Sequence, residues 1–141
     1  MINYDVKTAL LNRFNEATGL NVKLADVSFV NAGVWLQNQC NARVTMQAKT
    51  TSNDYGGSID LLYNRYRLDQ TIPNVVLGGP RSNFATIHDV VAYLHDVYQL
   101  PAYVEDFNNN AISPSATTVV LTPKIDALAW LPPSGVTLRF E

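Results

Sequence analysis

The sequence predicts an α+β domain in which two degenerate helix–strand–strand repeats pack helices on one side of a mostly antiparallel sheet. Two stretches place apolar residues at helical spacing, and two others alternate apolar and polar residues as strands with one solvent-exposed face do. These stretches occur twice in the same order along 141 residues, a length that suits one domain. We therefore expect a single domain over residues 1–141.

The clearest element is a β-hairpin predicted between residues 41 and 67. Turn-forming residues at 50–54 and the pair Gly56-Gly57 separate its two strands. The apolar residues that alternate with polar ones in these strands are Val44, Met46 and Ala48, then Ile59, Leu61 and Tyr63. This pattern indicates that one face of the hairpin is buried.

The first helix is predicted over residues 5–18, because apolar residues recur there on one helical face. Asp5 or Asn3 can cap its first turn, and Gly19 lies where a left-handed residue commonly ends a helix. A short turn or 3₁₀ segment is expected at 25–29. Residues 30–39 fit either a strand or an arm laid over the core.

The second half follows Gly78-Gly79-Pro80, the best internal boundary, since glycine and proline break regular structure. A second helix is predicted from a capping box of Thr86 and Asp89 to the residue before Pro101. Strands are predicted at 117–122 and 136–140, with a turn at 127–133 between them.

The two halves resemble each other at nearly constant offsets. An offset of 80 residues pairs the two helices and places Asp26 on Asp106, and an offset of 75 places Lys49 on Lys124. We therefore expect repeats at about 4–67 and 85–141, joined by a linker near 78–80.

The content of charged residues and the net charge limit the kinds of partner that the protein is expected to bind. Only 16% of the residues are charged and the net charge is −2, whereas binding to a polyphosphate favours a basic excess. Nucleic-acid binding is therefore not expected. A weakly charged surface fits burial in an assembly, and it equally fits a neutral domain without such a role.

The single cysteine, Cys40, excludes an internal disulfide and a structural cysteine–zinc site. Neither a signal peptide nor an apolar stretch of about 20 residues that could span a bilayer is recognisable. We expect no membrane association, and synthesis in a reducing cytoplasm.

Residues suited to catalysis or metal binding are few. His88 and His95 lie seven residues apart on the predicted helix, about 10 Å along its axis and too far to bind one metal ion. Asp26 and Asp106 occupy equivalent positions in the repeats, which favours structural capping over a catalytic carboxylate pair. Nucleophile-elbow and phosphate-loop motifs do not occur. The sequence therefore predicts no enzyme activity, no catalytic or metal-binding residue and no cofactor.

Aromatic residues are the best candidates for contacts, because tyrosines on a weakly charged surface suit proteins or sugars. Tyr66 and Tyr93 are predicted to lie at the surface, whereas Tyr63 and Tyr98 fit the core or its edge. Arg65 and Arg67 could form a small basic patch with Lys49, or be solvated strand positions. The predicted interface residues are Tyr66, Arg65, Arg67, Tyr93 and Trp35.

Several of these segments together are similar to a known family. Val44 through Ala48-Lys49, then Gly57-Ser58-Ile59 and Tyr63-Asn64-Arg65 with Leu68, resemble small virion structural proteins of large tailed bacteriophages. Residues 10–15, Gly19-Leu20 and the Asp26 turn match the front part of the family pattern. Residues 119–124 and Leu128-Ala129-Trp130 match a closing copy. Pro132-Pro133 departs from the pattern, and residues 30–39 match no part of it.

The resemblance implies a non-enzymatic component of the virion, made in the host cytoplasm and located in the head, neck, tail or fibre. The implied partners are other virion proteins and copies of the chain itself. The alternative is a receptor- or carbohydrate-binding module of a phage fibre, with Trp35 or Trp130 among its stacking platforms.

Overall fold

The computed structural model describes residues 5–36, 39–72, 75–132 and 135–141. Their helices and strands, in chain order, are α1 Val6–Thr18, β1 Val27–Val34, β2 Ala42–Ala48, β3 Ser58–Tyr63, α2 Leu68–Thr71, β4 Val76–Leu77, α3 Ile87–Tyr98, β5 Thr118–Leu121 and β6 Val136–Phe140. Short 3₁₀ turns lie at Leu24–Asp26, Arg81–Asn83 and Val104–Asp106. The predicted α+β class is confirmed.

The described strands are divided between two three-stranded sheets. The first has the order β1-β2-β3 and is antiparallel throughout. The second has the order β4-β6-β5, in which β5 is antiparallel to β6 and β4 is parallel to it. Tyr66 connects the two halves, because its N–H donates to Ala129 O (2.8 Å) and its carbonyl accepts from Leu131 N–H (2.7 Å).

Local sequence signals determine where the helices begin and end. Asp5 caps α1 by accepting from Lys7 N–H, and Gly19 ends it with φ 73°, both as predicted; Asn3 lies outside the described residues. Thr86 and Asp89 form the predicted capping box of α3. That helix ends at Tyr98, before Pro101.

The prediction of a short turn or 3₁₀ segment at 25–29 is only partly correct, because the turn ends at Asp26 and residues 27–29 belong to β1. A 3₁₀ turn at Leu24–Asp26 leads directly into β1, so residues 30–34 form a strand and not an arm. Residues 37–38 of the segment 30–39 lie outside the described residues, as does Pro133 of the predicted turn at 127–133.

Corresponding features recur in the first unit, residues 5–64, and the second unit, residues 86–141. Helices α1 and α3 each end at a residue in the left-handed conformation, Gly19 and Gln99. Each helix is followed by a 3₁₀ turn, and the second turn lies 80 residues after the first. In each unit the backbone N–H of a lysine donates to the carbonyl oxygen of the aspartate in this turn, at a distance of 2.8 Å. The pairs are Lys49 with Asp26 and Lys124 with Asp106.

The hairpins also share their register. Val44 pairs with Leu61 in the first unit, and Val119 pairs with Leu138 at the equivalent positions of the second. The units differ in what lies beside their hairpins: β1 adjoins β2 in the first, whereas β4 adjoins β6 in the second. The larger of two buried clusters draws on both units, because Val6 and Val44 of the first unit belong to it. It also includes Trp130, Phe84, Phe107 and Leu94, and a smaller one under α1 contains Leu11, Val22, Val27 and Met46.

Candidate functional site

An open groove of about 590 Å³ lies between α1 and β3 on the first unit. Its walls are mostly apolar, and the side chains that form them include Leu10, Phe14, Ile59, Leu61, Leu62 and Tyr66. We call this surface the α1–β3 groove. It is larger than two other cavities lined by described residues, which measure about 370 and 180 Å³.

The helix wall of the groove is the part of the apolar face of α1 that the core covers incompletely. Val6 and Leu11 are buried, whereas Leu10 and Phe14, on the neighbouring part of the helix face, are only partly covered. On the opposite wall Ile59 is 44% exposed and Leu62 37% exposed. Apolar side chains from a helix and a strand therefore meet at a surface that the described chain leaves open.

The strand wall of the groove is a sheet edge. Ala48 N–H donates to Gly57 O (2.9 Å), and alternation along the β2–β3 ladder then directs the backbone groups of Ile59 and Leu61 toward β2. The backbone groups of Ser58, Asp60 and Leu62 point the other way, where no described strand pairs with them. An edge of this kind can accept a further strand.

A single charged side chain, Arg13, is present among the described residues that line the groove. It extends from α1 and forms no ion pair with another described residue. The groove therefore combines apolar walls, an open strand edge and one positive charge.

Two of the predicted interface residues lie at or beside this groove. Tyr66 lines it, is 39% exposed and has its ring centre 5.8 Å from that of Trp130. Arg67 follows it in the chain, is exposed and forms an ion pair with Asp69 at 2.9 Å. Trp35 lies elsewhere, half-buried, with the Arg43 guanidinium 4.6 Å from its ring centre.

The prediction that Arg65 lies at an exposed interface is wrong, because this residue is only 4% exposed. Its guanidinium donates to Ala127 O (2.8 Å) and Ile125 O (3.2 Å), and burial lowers its pKa. The signal was present in the sequence: the alternation through Ile59, Leu61 and Tyr63 places Arg65 on the same inward face.

The surface positions assigned to Tyr93 and Trp130 are also corrected. Tyr93 is half-buried: its hydroxyl accepts from Gly78 N–H (3.1 Å), and its ring packs edge-on against Phe84 at 5.3 Å. Trp130 is buried, so it offers no stacking platform. Tyr63 was predicted to lie in the core or at its edge. It lies at the edge, where its hydroxyl donates to Leu128 O (2.7 Å).

The polar residues considered for chemistry have structural contacts. Nε2 of His88 lies 2.8 Å from Phe107 O, and Nδ1 of His95 lies 3.1 Å from the adjacent Asp96. Asp26 accepts from Lys23 N–H (3.2 Å), which confirms its capping role. Within the described residues, no group of three histidine, cysteine, aspartate or glutamate side chains could hold a metal ion.

No helix formed by the described residues is both long enough and apolar enough to cross a membrane. A comparison with curated proteins and with solved structures finds no match. A family model does match, over residues 1–139, which is nearly the whole chain. The protein therefore belongs to the family of unknown function DUF7941.

Proposed function

We propose that this protein is a non-enzymatic structural component of a tailed-bacteriophage virion, made in the host cytoplasm. It acts by packing against other virion proteins and copies of itself. The resemblance of its hairpin and helix motifs to virion proteins supports a location in the virion. The α1–β3 groove is the surface through which we expect it to contact other proteins.

The observation that carries this proposal is the exposure of Ile59, Leu62 and Tyr66 on one side of the groove. Scattered exposed apolar residues are common, but apolar side chains that line one concave surface beside a strand edge are typical of a protein contact. The low charge content favours such contacts further, because few charged groups would lose water on burial.

Quantitative mass spectrometry of purified particles tests the proposal, since it expects the protein in many copies. Leu62→Lys should lower its incorporation, because a lysine blocks both the apolar wall and the strand edge. Val120→Lys is the matched control: Val120 is exposed on β5, an edge strand of the other sheet. Absence of the wild-type protein from mature particles would end the proposal.

A second candidate is a receptor- or carbohydrate-binding module of a phage fibre. It is supported by Tyr66, whose ring is exposed beside a groove, and by Trp35, which stacks with Arg43. Binding to a glycan panel that is lost in Tyr66→Ala would favour this candidate. A flat response across a broad panel would count against it.

A further inference from the structure

The second unit shows how the place equivalent to the groove can be filled. There β4 pairs in parallel with β6, Val76 with Arg139 and Leu77 with Phe140. Glu141 N–H donates to Leu77 O (3.0 Å), and the Leu77 side chain is completely buried. A two-residue strand thus closes the edge of the second hairpin and contributes an apolar side chain to the core.

The strand contacts of β4 map onto the wall of the groove. The hairpin register relates Leu138 to Leu61, so Arg139, Phe140 and Glu141 correspond to Leu62, Tyr63 and Asn64. These three residues all line the α1–β3 groove. No described residue accepts from Asn64 N–H, whereas its counterpart Glu141 N–H donates to β4.

The helix contact of β4 maps to the same place independently. Tyr93 of α3 accepts a hydrogen bond from Gly78 N–H, directly after β4. The offset of 80 residues that relates the helix ends and 3₁₀ turns makes Arg13 the counterpart of Tyr93. Arg13 also lines the groove.

We propose that the α1–β3 groove binds an extended segment of a partner protein, which adds to β3 as a parallel strand at Leu62, Tyr63 and Asn64. This proposal rests on the proposed function as an assembly protein and names the site and the kind of partner. The bound segment places an apolar side chain where β4 has Leu77, between α1 and β3. It places a carboxylate one residue later, within reach of Arg13.

Charge complementarity identifies the partner as a different protein. Where the second unit has the neutral hydroxyl of Tyr93, the first has the positively charged Arg13. The segment that fits best therefore has an acidic residue at the position equivalent to Gly78. The chain's own Val76-Leu77-Gly78 has no acid there, and Leu77 is buried in its own sheet. A second copy of the chain therefore fits less well.

A fluorescent synthetic peptide tests the inference: Val-Val-Leu-Glu between short serine-rich ends, with a matched peptide that has lysine in place of glutamate. In fluorescence anisotropy, the glutamate peptide should bind the wild-type protein and bind Arg13→Glu about fivefold less tightly. The lysine peptide should show the reverse preference. Arg139→Glu, an exposed arginine outside the groove, is the matched control and should change neither affinity.

Amide hydrogen exchange followed by NMR distinguishes strand addition from apolar packing alone. On binding, exchange at Leu62 and Asn64 should slow about tenfold or more, because their N–H groups gain acceptors. Ile59 and Leu61, whose N–H groups face β2, should change little. Protection appearing instead at Arg139 and Glu141 would mean that the peptide replaces β4, and would overturn the inference.

Three further results would also overturn it: no binding of either peptide at millimolar concentration, equal binding to wild type and Arg13→Glu, or protection of Leu62 and Asn64 by self-association without peptide. Circular dichroism of each variant confirms that it is folded. If the peptides fail to bind but the protein is present in particles, the strand-addition proposal is contradicted and the proposed virion role is not. Absence from particles removes the virion role whatever the peptides do.

Discussion

Asp26 and Asp106 occupy equivalent positions in the two units, yet their surroundings differ. Asp26 is half-buried and accepts from one nearby backbone N–H. Asp106 is 3% exposed and accepts from Leu128 N–H (2.9 Å) and Ala129 N–H (3.1 Å), directly before the buried Trp130. Burial raises the pKa of Asp106, while the two backbone hydrogen bonds act in the opposite direction.

This difference predicts unequal losses of stability. Asp106→Ala leaves two buried N–H groups without an acceptor and should cost about 3 kcal/mol. Asp26→Ala removes one partly exposed capping bond and should cost about 1 kcal/mol. Urea unfolding of the two variants and the wild-type protein measures both values. Equal losses would show that the Asp106 contacts do not hold the segment before Trp130.

Asp5 gives the protein a pH dependence of known sign. Burial raises its pKa, but hydrogen bonds from Tyr103, Thr8 and the Lys7 N–H outweigh burial, so its pKa in the folded protein is lowered from 3.8. The ionised carboxylate therefore contributes stability above the unfolded-state pKa, and that contribution is lost as the pH falls through the lower folded-state pKa.

Asp5→Asn should accordingly flatten the loss of stability on acidification. We expect the gap in unfolding free energy between wild type and variant to be largest near neutral pH and to shrink below about pH 4. Urea unfolding between about pH 3 and pH 7 measures this gap, and the difference between the two proteins cancels the titration of other acids. A gap that does not vary with pH would contradict the assigned role.

At the scale of elements, α3 supplies the most completely buried helix face. Leu94→Asp should unfold the chain, because an unpaired buried charge costs several kcal/mol against a total stability of about 5–15 kcal/mol. Leu94 is 1% exposed, whereas Val97 on the same helix is 55% exposed, so Val97→Asp is the matched control. Thermal unfolding followed by circular dichroism checks the pair. A melting curve of Leu94→Asp like that of the control would show that this face is not core.

The elements that sequence reasoning located correctly are those with local signals. Caps, alternation and glycine turns act over a few residues, and they positioned both helices and both hairpins. The parallel pairing of β4 with β6 joins Val76, which precedes the second unit, to Arg139 near its end, and a strand of two residues has no periodicity to detect. The division into two sheets depends on such distant pairings, and it too could not be predicted.

The candidate site was predicted only in part for a related reason. The exposure of Tyr66 agrees with the sequence prediction, whereas its role in an interface stays a prediction. The prediction for Arg65 is wrong because a guanidinium can be buried where backbone carbonyls such as Ala127 O accept its hydrogen bonds, and these carbonyls come from a distant part of the chain. The groove itself arises from the absence of a described strand beside β3, which no local pattern encodes.

At the scale of the whole molecule, the two units differ in how far their apolar surfaces are covered. In the second, β4 closes the hairpin edge, the Leu77 side chain is buried, and Gly78 N–H donates to Tyr93 of α3. In the first, the equivalent space is the α1–β3 groove, with a strand edge and Arg13 beside it. Under the proposed function, a partner in the virion covers the α1–β3 groove.

Hydroxyl-radical footprinting with mass spectrometry, applied to purified particles and to the isolated protein, tests this claim most directly. Leu62 and Tyr66 should lose reactivity in the particle relative to Ile125, which is exposed and lies outside the groove. Equal reactivity of Leu62 and Tyr66 in both states would contradict the account, because the groove would then remain uncovered where the protein is proposed to act.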